Sequence, residues 1–174
     1  MKNELRIEAL EKRKELNCSE LSSLILKNLF ELPEYRRSKN IICYHPLKYE
    51  ADTKECFKDG CKNWFLPRVN GSMLEICPLG SLKKGSFGIL EPQSEPIEDY
   101  SDIDMIIIPA CAADIRGFRL GWGKGYYDRF LPCLPQSCIK AVLVYSELVY
   151  ETVYPDEYDI KADIIVTDKE ILRV

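Results

Sequence analysis

Met105-Ile106-Ile107-Ile108-Pro109 is a short apolar run with three consecutive isoleucines, followed shortly by the stretch Arg116-Gly117-Phe118-Arg119-Leu120-Gly121-Trp122-Gly123-Lys124-Gly125-Tyr126-Tyr127-Asp128-Arg129. A run of this length, rich in branched side chains and closed by proline, reads as a strand buried on both faces. Similar runs occur at Asn40 to Tyr44, Trp64 to Leu66, Met73 to Ile76, Ala141 to Tyr145 and Ile164 to Val166. Helical patterns flank or separate them. Lys2 to Leu16 sets Leu5, Ala9, Leu10 and Leu16 among charges at near-helical spacing. A second helix is expected from Ser19, carrying Leu21, Leu24, Ile25, Leu26 and Leu29, with Pro33 bounding it downstream. Further helical stretches are expected at Thr53 to Lys62 and Lys124 to Leu131, while Leu82 to Tyr100, with its glycines and prolines, reads as a long irregular connection. Strands alternating with helices predict one α/β domain over residues 1–174 with a mostly parallel sheet.

The composition narrows the function. With 174 residues, 46% hydrophobic and 30% charged, the chain is long enough to bury roughly 70% of its unfolded surface. No apolar run approaches the ~20 residues of a membrane helix. A formal charge of −4 argues against nucleic acid as a partner, because that binding needs clustered positive charge. The first residues, Met1-Lys2-Asn3-Glu4-Leu5-Arg6, are charged and carry no apolar export stretch, so a cytoplasmic location is expected. On the same ground the eight cysteines read as reduced thiols. They contain no Cys-x-x-Cys pair and accompany a single histidine, His45, which disfavours a zinc site.

Four of the nine glycines fall between Arg116 and Arg129, beside Arg116, Arg119, Lys124 and Arg129. Glycines at alternate positions let backbone N–H groups converge, and the missing Cβ atoms allow an anion to come close. Placed after a strand end, where open α/β sheets bind ligands, the loop predicts a phosphate cradle. Neither the dinucleotide fingerprint nor the P-loop pattern fits its spacing. The simpler reading, a turn that feeds a helix and carries solvated charges, stays open at this point.

The segment Arg119 to Asp128 resembles the hallmark Arg-Leu-Gly-x-Gly-x-Gly-Tyr-Tyr-Asp of the 5-formyltetrahydrofolate cyclo-ligases, also called 5,10-methenyltetrahydrofolate synthetases. Other fragments recur in that family's order: Lys2-x-x-Leu5-Arg6, Tyr44-His45-Pro46 through Glu50-Ala51-Asp52-Thr53, and Leu66-Pro67-Arg68. Gly85-Ser86-Phe87-Gly88-Ile89-Leu90-Glu91-Pro92, Tyr154-Pro155 with Asp159, and Ile165-Val166-Thr167 follow. The resemblance implies a three-layer α/β/α sandwich around a Rossmann-like sheet. It also implies a monomer that uses ATP and Mg²⁺ to close 5-formyltetrahydrofolate to 5,10-methenyltetrahydrofolate, with no nucleic acid or membrane partner.

The same resemblance distributes the roles. Lys2, Arg6, Arg119, Leu120, Gly121, Trp122, Gly123, Lys124, Gly125, Tyr126 and Tyr127 would hold ATP, with Arg119, Lys124 and Tyr126 in catalysis. His45, Glu50 and Trp122 to Tyr126 would meet the folate, and Asp128 and Asp159 the metal. On a helix Lys2 and Arg6 share one face, as a grip on one phosphate chain or as a solvated basic face. Against the family pattern, Ala113 stands where Phe is usual and Tyr158 where His is common, and a Gln often found after Tyr145 is missing. These departures bear on the pterin pocket more than on the nucleotide loop. Two rivals remain: a non-catalytic nucleotide-binding regulator, and a phosphosugar or CoA-ester enzyme, for which Asp128 is the one evident catalytic carboxylate in the loop.

Overall fold

A computed structural model describes residues 1–85 and 88–174. The chain opens with α1 (Lys2–Glu15), α2 (Cys18–Glu31) and α3 (Pro33–Arg37). In α1 the buried residues are Leu5, Ala9 and Arg13, one every four positions, while Glu8–Lys12 and Glu11–Lys14 ion pairs lie on exposed sides. The second helix begins one residue earlier than Ser19 implies, because Asn17 caps it: its side chain accepts from the Glu20 N–H at 3.4 Å and donates to the Glu20 carboxylate at 2.9 Å. Ser22, Ile25, Leu26 and Leu29 form its buried stripe. Pro33 closes α2 and also opens α3, where a proline loses nothing at the first helical position.

The strands are β1 (Asn40–Ile42), β2 (Asn63–Asn70), β3 (Met73–Pro78), β4 (Leu82–Lys84), β5 (Leu90–Pro92), β6 (Met105–Pro109), β7 (Ala112–Asp114) and β8 (Arg119–Leu120). After α4 (Tyr126–Phe130) come β9 (Ile139–Leu143), β10 (Val149–Tyr150), β11 (Ile164–Val166) and β12 (Ile171–Arg173). Seven of them form one sheet in the order β12-β11-β9-β6-β1-β2-β3, parallel from β11 to β2 and antiparallel at both edges. A smaller sheet, β10-β7-β8, and the β4-β5 pair complete the fold. Met105 to Ile108 are buried throughout, so both faces of the sheet centre are covered, as a layered α/β fold requires.

Three expectations need correction. Thr53 to Lys62 forms only a 3-10 turn at Cys56–Lys58, since the Thr53 hydroxyl donates to the Tyr44 carbonyl and ties the segment back to the strand end. Leu82 to Tyr100 contains the β4–β5 pair, and of the sequence fragment noted there Ser86 and Phe87 lie outside the described residues. The helix expected from Lys124 starts at Tyr126, after Gly125 at φ +67°, and is only five residues long. So short a helix adds little dipole to the loop.

The strand order matters most for function. From β6 the chain steps outward to β9 and β11, whereas β1 steps the other way to β2. Between β1 and β6 the winding therefore reverses, and the carboxyl ends of these strands open a crevice.

Candidate active site at the strand switch

A cavity of about 1040 Å³ occupies that crevice. Tyr44, His45, Leu47 and Glu50 follow β1, Pro67 and Val69 come from β2, and Pro109 ends β6. The far wall is the glycine loop from Leu120 to Tyr127, and Lys2 and Arg6 close one side from α1.

The loop is positioned by its neighbours. The Cys111 N–H donates to the Leu120 carbonyl at 2.6 Å, which fixes β8 against the end of β6. The buried Asp114 carboxylate accepts from the N–H groups of Arg116 (3.0 Å), Phe118 (3.2 Å) and Val153 (3.2 Å), so it shapes the turn that delivers Arg119. Gly117, Gly123 and Gly125 have φ of +95°, +88° and +67°, values that side chains disfavour; Gly121 does not. Arg6 Nε donates to the Gly121 carbonyl at 2.7 Å, and its guanidinium lies over Gly123, 3.3 Å from where a Cβ would stand. The first helix is thereby clamped to the loop.

Three cation–carboxylate pairs sit beyond it. Buried Arg119 donates to Asp128 Oδ1 at 2.6 Å and to the Ile160 carbonyl at 2.9 Å. Lys2 Nζ meets Asp156 at 2.7 Å and Asp159 at 2.5 Å. Burial pulls the Lys2 ammonium down, but the hydrogen bonds and charges of Asp156 and Asp159 outweigh it and hold its pKa above the ordinary value. On the other wall, Glu50 Oε1 accepts from Trp122 Nε1 at 2.8 Å and Oε2 from the Leu47 N–H at 2.8 Å. Desolvation first, and the Glu50 charge second, push the phenols of Tyr44 and Tyr127 well up, so both stay neutral hydrogen-bonding groups.

Residues 1–168 match the model of the 5-formyltetrahydrofolate cyclo-ligase family. The chain belongs to this family. A Schizosaccharomyces pombe protein named probable 5-formyltetrahydrofolate cyclo-ligase is 31% identical over 173 residues, covering 86% of this chain and 84% of that one. The Mus musculus 5-formyltetrahydrofolate cyclo-ligase is 29% identical over 185 residues, with 93% and 91% covered. The NMR structure of Aquifex aeolicus 5,10-methenyltetrahydrofolate synthetase superposes with a TM-score of 0.86 at 38% identity, covering 99% of this chain and 92% of that one.

Within this cyclo-ligase fold every residue singled out from the sequence for ATP, folate or metal lines the one cavity. Lys2 and Arg6 of α1 do not share a partner, however: Arg6 lies on the loop and Lys2 on the acidic pair. Trp122 is 43% exposed and faces Glu50, so it is a wall residue rather than core. Tyr158 stands at the rim, 74% exposed. Sequence reasoning missed four residues that hold or line the site. Asp156 pairs with Lys2, and its proximity to Asp159 was the available signal. Arg129 donates to the carbonyls of Ser72 (2.9 Å) and Lys124 (2.8 Å), joining the β2–β3 turn to the loop. Asp114 shapes the approach, and Glu91 lines the cavity from β5; neither contact is visible without the fold.

Asp128 Oδ1 also accepts at 3.4 Å from the N–H of Ile160, the residue that follows Asp159 in the chain. Among the described residues no group of three or more His, Cys, Asp or Glu converges as a metal cage. Asp128 and Asp159 nevertheless both line the cavity, and two carboxylates completed by phosphate oxygens and water suit Mg²⁺, which seldom uses an all-protein cage.

Proposed function

We propose that the chain catalyses ATP-dependent closure of 5-formyltetrahydrofolate to 5,10-methenyltetrahydrofolate, releasing ADP and phosphate. One observation carries the reading: the glycine loop and Glu50 face a single cavity and are joined by the Trp122–Glu50 hydrogen bond. A nucleotide held by the loop and a folate held near Glu50 would therefore meet within it.

The reaction needs positioning more than a nucleophilic side chain. The formyl oxygen attacks the γ-phosphorus of ATP and displaces ADP, which leaves a phosphorylated imidate. N10 then attacks the formyl carbon, and departure of phosphate with loss of the N10 proton gives the methenyl bridge. Backbone N–H groups of Gly121 to Gly125, with Lys124 and Arg119, hold and screen the phosphates in line with that oxygen. Tyr126 lines the cavity and orients the transferring group. Glu50 accepts hydrogen bonds from the pterin, Trp122 presents an aromatic face, and His45 lies at the folate edge. Asp128 and Asp159 would hold Mg²⁺, which neutralises phosphate charge when bound. The enzyme is read as a cytoplasmic monomer.

The test is the absorbance of methenyltetrahydrofolate formed from 5-formyltetrahydrofolate, ATP and Mg²⁺. Lys124→Ala, an exposed loop change, should raise the KM for ATP about tenfold or more, and Glu50→Ala should chiefly raise the KM for folate. ATP binding by folded protein without product would overturn the proposal and favour a regulatory nucleotide-binding role.

A further inference from the structure

The cavity holds a second carboxylate to which no role has yet been given. Glu91 in β5 is 7% exposed and lines the cavity beside Pro67 and Val69 of β2, Leu74 of β3 and Ile89. Its Oε1 accepts from the Val69 N–H at 3.2 Å. Its Oε2 accepts no hydrogen bond among the described residues. The side chain lies over Gly85, where a Cβ would collide with the carboxylate, and with Oε2 first. Glycine at 85 thus leaves the room that the Glu91 side chain fills.

A carboxylate this deeply buried is costly unless donors satisfy both oxygens. Glu50 and Glu91, two of the carboxylates that line the cavity, differ in that respect. Glu50 has each oxygen engaged by the protein, one by Trp122 and one by Leu47, whereas among the described residues Glu91 has one oxygen without a donor. Around Glu91 the wall is apolar, made of Pro67, Val69, Leu74 and Ile89, a surface suited to the face of a flat ring. The ligand chemistry that satisfies both features is a planar heterocycle with adjacent N–H donors on one edge.

Resting on the cyclo-ligase reading above, we infer that Glu91 is a second folate-recognising carboxylate, which accepts hydrogen bonds from the 2-amino and ring N–H edge of the pterin. Glu50 then secures Trp122 and the loop side of the substrate, and Glu91 reads the donor edge from the strand side. Gly85 acts as a positioning residue, through Glu91.

Glu91→Gln tests this, since the amide keeps an oxygen for the Val69 N–H and removes the charge. The KM for 5-formyltetrahydrofolate should rise about tenfold or more, as for loss of a charge-assisted hydrogen bond, with the KM for ATP unchanged. Gly85→Ala, which displaces the carboxylate, should reproduce the folate effect. Folate binding followed by tryptophan fluorescence and a thermal melt supply readouts independent of turnover. With a 2-desamino analogue of the substrate, wild type and Glu91→Gln should bind nearly alike. An unchanged folate KM in folded Glu91→Gln, or an equal loss for substrate and analogue, would overturn the inference. Absence of product from the wild type, by contrast, defeats the reaction assignment itself.

Discussion

Gly121 and Gly123 sit two residues apart in the same loop, yet replacement by alanine should move stability in opposite directions. Gly123 has φ +88°, and a Cβ there would stand 3.3 Å from the Arg6 guanidinium carbon. Alanine at that φ costs about 1–2 kcal/mol in backbone strain, and Arg6 must also move. Gly121 lacks a positive φ, and its Cβ would meet nothing within 4 Å. There alanine restricts the unfolded chain without a native clash, which stabilises by about 0.4–1 kcal/mol. At about 2–4 °C per kcal/mol for a chain of this size, Gly123→Ala should melt several degrees lower and Gly121→Ala up to about 4 °C higher than wild type. Calorimetry without ligand gives the comparison. ATP titration separates folding from function: Gly121→Ala should bind ATP more weakly despite its higher melting point, because the new methyl group occupies the face offered to phosphate. Shifts of the same sign, or tighter ATP binding by Gly121→Ala, would refute the reasoning.

The remaining expectations concern titration, burial and a paired charge. His45 is the single histidine, so its ring proton titrates as one NMR resonance. Burial, and then Lys54, pull its pKa below 6.5, against smaller upward effects from the Pro46 backbone and Asp52. The unfolded chain then takes up the proton first, so His45's contribution to stability is complete above about pH 6.5 and is lost as pH falls toward its folded value. A midpoint at or above 6.5, or the same acid sensitivity in His45→Gln, contradicts this. Cys61 and Cys133 are exposed while Cys43, Cys56, Cys77, Cys111 and Cys138 are buried, so a thiol reagent should modify two groups promptly and those five only after unfolding. Burial pushes the Cys111 thiol up to about 11, which further slows its reaction. Arg119→Ala should cost about 3 kcal/mol in denaturant melts, because Asp128 and the Ile160 carbonyl lose a buried donor; a change under about 1 kcal/mol would show the pair to be solvated.

Much of the site was legible because its residues are local in the chain. Arg119 to Asp128 is continuous, and the glycines state in the sequence where backbone must turn and where an anion has access. The strand at Met105 to Pro109 was equally plain, since a strand buried on both faces leaves an unbroken apolar run. The irregular pieces were less so. Thr53 to Lys62 carries helix-forming residues, yet the Thr53 hydroxyl and the Trp64 Nε1, which donates to the Asp59 carbonyl at 3.1 Å, draw the segment into turns. The β4–β5 pair was hidden because short hairpin strands among glycines and prolines leave no periodic signal.

By itself the sequence determined the two long N-terminal helices, the buried central strands, the glycine loop and the family, all of which reside in neighbouring residues. Only the tertiary structure decided that the sheet reverses direction between β1 and β6, and so where the cavity opens. It alone brought Glu50 to Trp122 across 72 residues and Lys2 to Asp159 across 157, and placed Glu91 on the cavity wall. Such pairings depend on sheet order and on which surfaces are desolvated together, and no local pattern of residues encodes either.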